Sequence, residues 1–281
     1  MDDRIDRLGE TIYQHGPYND RVYVMRTGIA SLPELLPYLE KLATRRGYGK
    51  VIAKCTARAR EAFAAWGARC EGRIPDYYAP GRDACFMARY FESRRAREPR
   101  PDEVARNLAI ARDKAGDEPS RPGAEWSHGV LPAGPQDVEE MSRIYREVFP
   151  TYPFPIGDPD YLAHAMQNDV AFFKLTRDGR IGALASAEMD LANGAVEMTD
   201  FATLPALRGQ GAAQKLLGAM ERAMRERGLR TAFTIARAYS TGMNVTFARR
   251  GYRFGGTLTG NTNIGGQIES MNIWSRPLCD A

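Results

Sequence analysis

The sequence predicts an α/β (α+β) protein whose two parts share one plan of strands and helices. Three observations lead to this prediction. Strand-like runs alternate with helical stripes along the chain, one strand passes through a glycine-rich loop into an amphipathic helix, and the N-terminal part repeats the pattern of the C-terminal part. With 281 residues the chain is long enough for two domains, each with a sizeable core.

The elements of the N-terminal part follow from the spacing of its apolar residues. In order, we predict a strand at 21–26, a helix at 32–42, a strand at 51–54, a helix at 57–66 and a strand at 84–91. The loop at 27–33 contains one glycine and no basic residue, so we expect it to bind no cofactor.

The same pattern returns near the C-terminus. Residues 63–67 match 247–251, and Gly72 falls opposite Gly256 without a gap. We therefore predict a duplicated domain at 1–92 that completes the sheet or covers the active site. Chance similarity between amphipathic helices is the alternative.

Residues 93–124 are predicted to form a helical linker, with a helix at 102–114 and a polar segment rich in Pro and Gly at 116–123. The second domain, 125–281, follows it. In order, we predict a strand at 127–131, helices at 135–149 and 160–168, strands at 170–176 and 180–189, a type I′ turn at Asn193-Gly194 and a strand at 197–204.

The segment 197–228 organises this second domain. Its strand stops at Pro205, and its helix ends at Gly228. In a strand–loop–helix arrangement, free backbone N–H groups and the positive end of the helix dipole point at one place, where a pyrophosphate would bind. Neither the G-x-G-x-x-G nor the G-x-x-x-x-G-K-[ST] phosphate loop is present. An ordinary capped strand–turn–helix is the alternative.

The loop pattern Arg208-x-x-Gly211-x-Ala213 resembles the acyl-CoA loop of the GNAT acetyltransferase superfamily. The resemblance implies a GNAT fold with a mixed, mostly antiparallel central sheet, preceded here by a degenerate half-GNAT-like N-terminal domain. It also implies acetyl-CoA as co-substrate and no metal. The implied CoA contacts come from the strand end and the loop, namely Phe201, Ala202, Thr203, Leu204, Arg208, Gly209, Gln210, Gly211, Ala212 and Ala213.

A lysine-type amine, with a pKa of about 10.4, must lose a proton before it can accept an acetyl group. Glu197 on the organising strand is the candidate general base, and the resemblance implies the same role. A structural Glu paired with an Arg is the alternative. The two-residue period places Thr199 and Phe201 on the face of Glu197 and Asp200 on the opposite face. In the superfamily, backbone N–H groups, here those from Phe201 to Leu204, face the thioester carbonyl.

The family pattern N-x₆-Y-x₃-G-F, whose tyrosine protonates the departing thiolate, is altered in this chain. Ser240 stands at the Asn position and Phe247 at the Tyr position. A phenyl ring cannot donate a proton, so Tyr239 and Tyr252 are the substitute candidates, with packing aromatics as the alternative. Asn244 is the candidate to replace the hydrogen bonds of the missing asparagine, either to CoA or to the backbone, and Phe247 is a predicted CoA contact.

Three segments, 197–205, 240–252 and 261–274, look like those of the β-lysine N6-acetyltransferases. This resemblance implies transfer from acetyl-CoA to (S)-β-lysine, giving N6-acetyl-β-lysine, a compatible solute in osmoadaptation. Candidates for binding the substrate's carboxylate and 3-amine are Arg237, the 261–263 segment and the Tyr152 loop. A GNAT enzyme for another small amine or a protein lysine, and a catalytically inactive acyl-CoA sensor, are the alternatives.

The resemblance implies a small-molecule amine as the partner, and the composition excludes several other classes of partner. A net charge of +4, from 39 basic and 35 acidic residues, does not indicate nucleic-acid binding. The four cysteines form no C-x-x-C pair and suggest neither a zinc nor a redox site. The N-terminus is charged and no apolar run approaches membrane-spanning length, so we expect a cytoplasmic protein without membrane contact. The sequence does not decide between a monomer and a homodimer.

Overall fold

The computed structural model describes residues 3–28, 32–117, 126 and 129–279, and thirteen strands within these ranges form one sheet. The strands are β1 Arg4–Leu8, β2 Thr11–Gly16, β3 Arg21–Arg26, β4 Lys50–Thr56, β5 Arg69–Ala79, β6 Arg82–Tyr90, β7 Leu131–Ala133, β8 Val170–Arg177, β9 Arg180–Asp190, β10 Ala195–Thr203, β11 Thr231–Arg237, β12 Arg253–Ile264 and β13 Gln267–Pro277. Their order across the sheet is β1-β2-β3-β4-β6-β5-β12-β13-β11-β10-β9-β8-β7. The neighbours β3–β4 and β10–β11 are parallel and the rest antiparallel, which confirms the predicted mixed, mostly antiparallel sheet.

The helices within the described ranges cover this sheet. They are α1 Leu32–Arg46, α2 Ala57–Ala65, α3 Pro101–Asp113, α4 Val138–Val148, α5 Pro159–Met166, α6 Ala212–Glu226 and α7 Thr241–Arg249. The helices α1 and α2 pack on the N-terminal half of the sheet, α6 and α7 pack on the C-terminal half, and α4 and α5 cover β8 and β9. None of these helices is long and apolar enough to cross a membrane.

The strand order is symmetric about the contact between β5 and β12. Outward from β5 lie β6, β4, β3 and β2, and outward from β12 lie β13, β11, β10 and β9, with a parallel pair at the same place in each half. The halves meet where Gly72 pairs with Gly256, the two residues that the repeat places opposite each other. A Cβ at Gly72 would collide with the Ile273 side chain, and one at Gly256 with the Glu71 carbonyl oxygen. At Gly256, where the clash is with backbone atoms, only glycine therefore allows the strands to approach this closely.

The observed elements differ from the predicted ones at a few places. The prediction gives no bounds for β1, β2, β5, β11, β12, β13 and α7. It places at 127–131 the strand found at Leu131–Ala133, while 127–128 lie outside the described residues. The predicted type I′ turn at Asn193-Gly194 is not found. Four residues connect β9 to β10, and of the two predicted turn residues only Gly194 has a positive φ, whereas a type I′ turn needs two. The domain boundaries at 92 and 125 stay predictions; residues 118–125 and 29–31 are not among those described.

Candidate active site

The strands β10 and β11 separate in the middle of the sheet and leave a wedge between them. They pair only from Ala195 with Thr231 to Glu197 with Phe233. Beyond Glu197, β10 remains paired with β9, while β11 remains paired with β13 along its length. The wedge therefore begins beside Glu197, and the edge of β10 that faces it has lost its parallel partner.

The glycine-rich loop closes one end of this wedge. Gly209 and Gly211 have φ values of 75° and 76°, in the left-handed region, and Gly211 is the residue just before α6. The first N–H of the helix to bond backward is that of Lys215, to the Gly211 carbonyl, so the preceding amides point out of the helix end. The first turn of α6 has no acidic side chain. These features fit the pyrophosphate of a CoA carrier.

Arg208 lies on the surface of the same loop. Its Nε donates a hydrogen bond to the Thr203 carbonyl at 3.3 Å, which ties the side chain to the end of β10. Gln210 donates to the Ala206 carbonyl and accepts from Arg177. The loop thus presents one exposed cation beside the free amides of α6.

A cavity of about 290 Å³ opens next to the wedge. Both halves of the chain line it, because the β5–β12 contact joins their sheets. The N-terminal half contributes Arg21, Tyr23, Met25, Lys54 and Tyr77. The C-terminal half contributes Glu188, Asp190, Glu197, Thr199, Asp200, Phe201, the residues 233–237 of β11, Met243 and Phe247 of α7, the Tyr152 loop, and Asn261, Thr262 and Ile264 of β12.

Glu197 has an environment suited to proton transfer near neutral pH. Burial raises its pKa to about 7, the positive charge of Lys54 and a hydrogen bond from the Ile235 N–H oppose the rise, and the Asp200 charge adds to it. Glu188 lies directly opposite Glu197 on β9, and burial raises the pKa of Glu188 well above its usual value. At neutral pH this pair therefore does not carry two full charges.

Asp200 faces the same cavity as Glu197, so the prediction that it points to the opposite face is wrong. The pairing of β10 with β9 slips between Thr199 and Ala202, and Asp200 has a φ of 53°. This bulge interrupts the two-residue alternation. Asp200 accepts hydrogen bonds from Ser186 Oγ, at 2.5 Å, and from Tyr152 Oη. Both carboxylate oxygens of Asp200 are thus engaged.

Lys54 brings a positive charge from the N-terminal half to these carboxylates. Its Nζ donates to Tyr77 Oη at 2.6 Å, and Tyr77 Oη donates to Asp190 Oδ2 at 2.8 Å. Burial lowers the pKa of Lys54, and the charges of Asp190, Glu197 and Glu188 oppose this. Sequence reasoning missed Lys54, although a lysine inside an apolar strand is a recognisable signal.

The structure places neither substitute proton donor at the cavity. Tyr239 Oη donates to Glu98 Oε1 at 2.5 Å, and Tyr252 is buried behind Phe247, with ring centroids 5.0 Å apart. Phe247 itself lines the cavity and packs edge-on against Phe201. The structure therefore does not support Tyr239 or Tyr252 as the catalytic acid, because neither residue lines the cavity.

Two predicted CoA contacts are also corrected. The Asn244 amide donates to the carbonyls of Arg237 and Ser240 and accepts from Asn272 and Trp274, at 2.8 to 3.0 Å, so its hydrogen bonds hold α7 to β11 and β13. The Leu204 N–H donates to the Gly182 carbonyl of β9 and is not free either. The other predicted CoA contacts stay predictions.

The sequence of this chain is similar to those of known acetyltransferases. Residues 138–255 match the model of the acetyltransferase (GNAT) family. A beta-lysine N(6)-acetyltransferase of Methanococcus maripaludis is 38% identical over 97% of this chain and 98% of its own length, and one of Methanosarcina mazei is 31% identical over 89% of this chain and 99% of its own length. The crystal structure of a GNAT superfamily phosphinothricin acetyltransferase from Sinorhizobium meliloti with AcCoA covers 56% of this chain and 89% of its own, at 18% identity and a TM-score of 0.48.

The fold and the wedge beside a glycine-rich loop define an acyl-CoA-dependent acyltransferase. The chain belongs to the GNAT acetyltransferases and, within them, to the family of the beta-lysine N(6)-acetyltransferases. It is an N-acetyltransferase that uses acetyl-CoA as its acetyl donor.

Proposed function

We propose that this chain transfers the acetyl group of acetyl-CoA to the N6 amine of β-lysine, with Glu197 as general base. The observation that carries the proposal is the position of Glu197, which lies where the wedge begins and has a pKa of about 7. The two relatives of that name support the choice of substrate, since they match nearly the whole chain. The cavity, at about 290 Å³, suits a small molecule.

The proposed chemistry assigns one proton to Glu197. The amine enters as an ammonium and cannot attack until it loses this proton. A carboxylate with a pKa near the operating pH takes such a proton efficiently, directly or through one water. The free nitrogen then attacks the thioester carbonyl and forms the new carbon–nitrogen bond. As the carbon–sulfur bond breaks, the nitrogen gives up its second proton, which passes to the departing thiolate or to solvent, and an amide and free CoA result. With a pKa of about 8.5, a thiol leaves acceptably without a protein acid, so Phe247 in place of a tyrosine does not prevent turnover.

The chain supplies two kinds of donors for the acetyl carrier when it is bound. The amides at the N-terminus of α6, with Arg208 beside them, would hold the pyrophosphate. Backbone N–H groups of β10 that face the wedge would stabilise the negative charge that develops on the carbonyl oxygen. The strand keeps these groups in place, so no side chain has to move during the reaction.

We further propose that the product acts as a compatible solute in the cytoplasm. Acetylation removes the positive charge of the side chain and leaves the carboxylate and the 3-amine as a zwitterion. A molecule without net charge can accumulate without adding counterions.

A substrate panel tests the proposed function. Free-thiol release from acetyl-CoA is measured with β-lysine, L-lysine, a lysine-containing peptide and no acceptor. We expect the highest kcat/KM for β-lysine. Efficient turnover of L-lysine or the peptide, with none on β-lysine, would contradict the proposal and favour another GNAT amine substrate.

A further inference from the structure

Resting on the proposed function, we propose that Arg21 and Asn261 form the receptor for the amino-acid end of the substrate, with Arg21 binding its carboxylate and the Asn261 Oδ1 accepting from its 3-amine. Both residues line the cavity and are buried, Arg21 at 4% exposure and Asn261 at 5%. The receptor would combine a strand of the N-terminal half, β3, with one of the C-terminal half, β12.

The contacts of Arg21 leave its charge without an anionic partner in the described residues. One NH group donates to the Asn261 carbonyl at 2.5 Å and to Thr262 Oγ1 at 3.1 Å, and the other is 3.5 Å from Gln14 Oε1. All three acceptors are neutral. Asp3, whose charge reaches Arg21, is bonded to Asn19 and to the Tyr18 N–H instead.

Three other cations in this region have an anionic partner within ion-pair distance. Lys50 lies 2.8 Å from Glu71, and Arg95 lies 2.9 Å from Asp20. Arg237, which also lines the cavity, forms a two-pronged ion pair with Glu269 at 2.9 and 2.7 Å. A buried charge without a counterion is costly, and the burial of Arg21 lowers its pKa to about 10. A ligand carboxylate would supply the missing counterion.

Two neighbouring residues that line the cavity each carry a buried polar atom, and the two atoms are of opposite character. The Arg21 Nε is a donor without a hydrogen-bond partner, and the Asn261 Oδ1 is an acceptor without one. The Arg21 side chain donates to the main-chain carbonyl of Asn261, which brings the two residues next to each other. A ligand that forms a hydrogen bond with each of these two atoms must carry an acceptor and a donor close together. A carboxylate with an ammonium group two carbons away, as in β-lysine, meets this requirement.

Among the described residues, the rest of the cavity lining carries four carboxyl groups, those of Glu188, Asp190, Glu197 and Asp200, besides Lys54 and Arg237. Tyr23, two residues beyond Arg21 on β3, feels the charges of both Arg21 and Glu197, so the cation and the proposed base lie near the same tyrosine. The proposed receptor would hold the carboxylate end of the substrate and direct its distant amine toward Glu197. Arg21 and Asn261 would then determine specificity and position the substrate, and neither would take part in proton transfer.

Three acceptors separate these roles. Beside β-lysine, 1,4-diaminopentane lacks the carboxylate, and 6-aminohexanoate lacks the 3-amine. For Arg21→Gln we expect kcat/KM to fall at least about 30-fold with β-lysine and 6-aminohexanoate and to stay unchanged with 1,4-diaminopentane. For Asn261→Ala we expect a loss with β-lysine and 1,4-diaminopentane and none with 6-aminohexanoate. Arg21→Lys should recover part of the activity on β-lysine.

The outcomes distinguish this proposal from the proposed function. If Arg21→Gln lowers kcat/KM equally with all three acceptors, or does not lower it with β-lysine, the proposed receptor is wrong. If the wild type prefers L-lysine, the proposed function fails and the same comparison is made with L-lysine and 1,5-diaminopentane, which lacks its carboxylate. A wild type that uses each amine equally with and without its carboxylate would overturn the receptor as well. The affinity for coenzyme A, measured by calorimetry, checks that each variant is folded.

Discussion

Glu197 and Glu188 lie directly opposite each other on the antiparallel strands β10 and β9, and both face the cavity. Their burial favours the protonated forms, while Lys54 from the N-terminal half favours the charged ones. The pKa of Glu197, about 7, results from this opposition. The N-terminal half therefore takes part in tuning the proposed base, which gives it a role beyond completing the sheet.

The proposed base predicts a pH dependence. Glu197 must be deprotonated to accept a proton, and its pKa is about 7, so kcat/KM should rise with pH through about 7 and then level off. Initial rates with β-lysine between pH 5.5 and 9 would check this. If kcat/KM does not change between pH 6 and pH 8, Glu197 is not the group that accepts the proton.

Removal of the Lys54 charge should move this profile to higher pH. Lys54 lowers the pKa of Glu197, so Lys54→Met should raise the midpoint by about one unit. Lys114→Met removes the same charge from a surface position and should leave the midpoint unchanged. A midpoint that falls or stays constant in Lys54→Met would mean that Lys54 does not act on the base.

Substitution of Gly211, the residue just before α6, should weaken CoA binding, whereas substitution of a glycine elsewhere should not. Gly211→Ala places a side chain at a φ of 76°, which costs about 1–2 kcal/mol, so the loop should relax and the Kd for coenzyme A should rise about tenfold. Gly81→Ala creates the same strain at a φ of 71° in the β5–β6 turn and should reduce stability only. Calorimetric titration of both variants makes the comparison. Normal affinity in Gly211→Ala would argue against this loop as the pyrophosphate site.

Asn244 should contribute to the free energy of unfolding and not to the affinity for CoA. Asn244→Ala leaves Asn272 Nδ2 and Trp274 Nε1 without an acceptor inside the core, which should lower the free energy of unfolding by about 3 kcal/mol. Urea denaturation measures this loss. Wild-type stability combined with weaker CoA binding would return Asn244 to the cofactor site.

The parts of the fold that depend on local pattern could be predicted from the sequence. The strand, loop and helix of 197–228 are contiguous, and their glycines and apolar spacing predict the element that carries the loop. The match of Gly72 with Gly256 is also visible in the sequence. That these two residues pair with each other across the sheet is a tertiary relationship, which the repeat alone does not predict.

The cavity could be predicted only in part. Glu197 follows from its place on the strand, whereas Asp200 was assigned to the wrong face because a bulge cannot be read from a regular alternation. Arg21 and Lys54 are far from Glu197 in sequence and meet it only through the pairing of β5 with β12. Sequence spacing holds no information on such contacts.

Single-turnover acetylation of β-lysine by Glu197→Gln tests the central claim most directly. With the base removed, the rate of the chemical step at neutral pH should fall at least about 100-fold, while the Kd for coenzyme A stays close to that of the wild type. A single-turnover rate equal to that of the wild type would contradict the assignment of Glu197 as the general base.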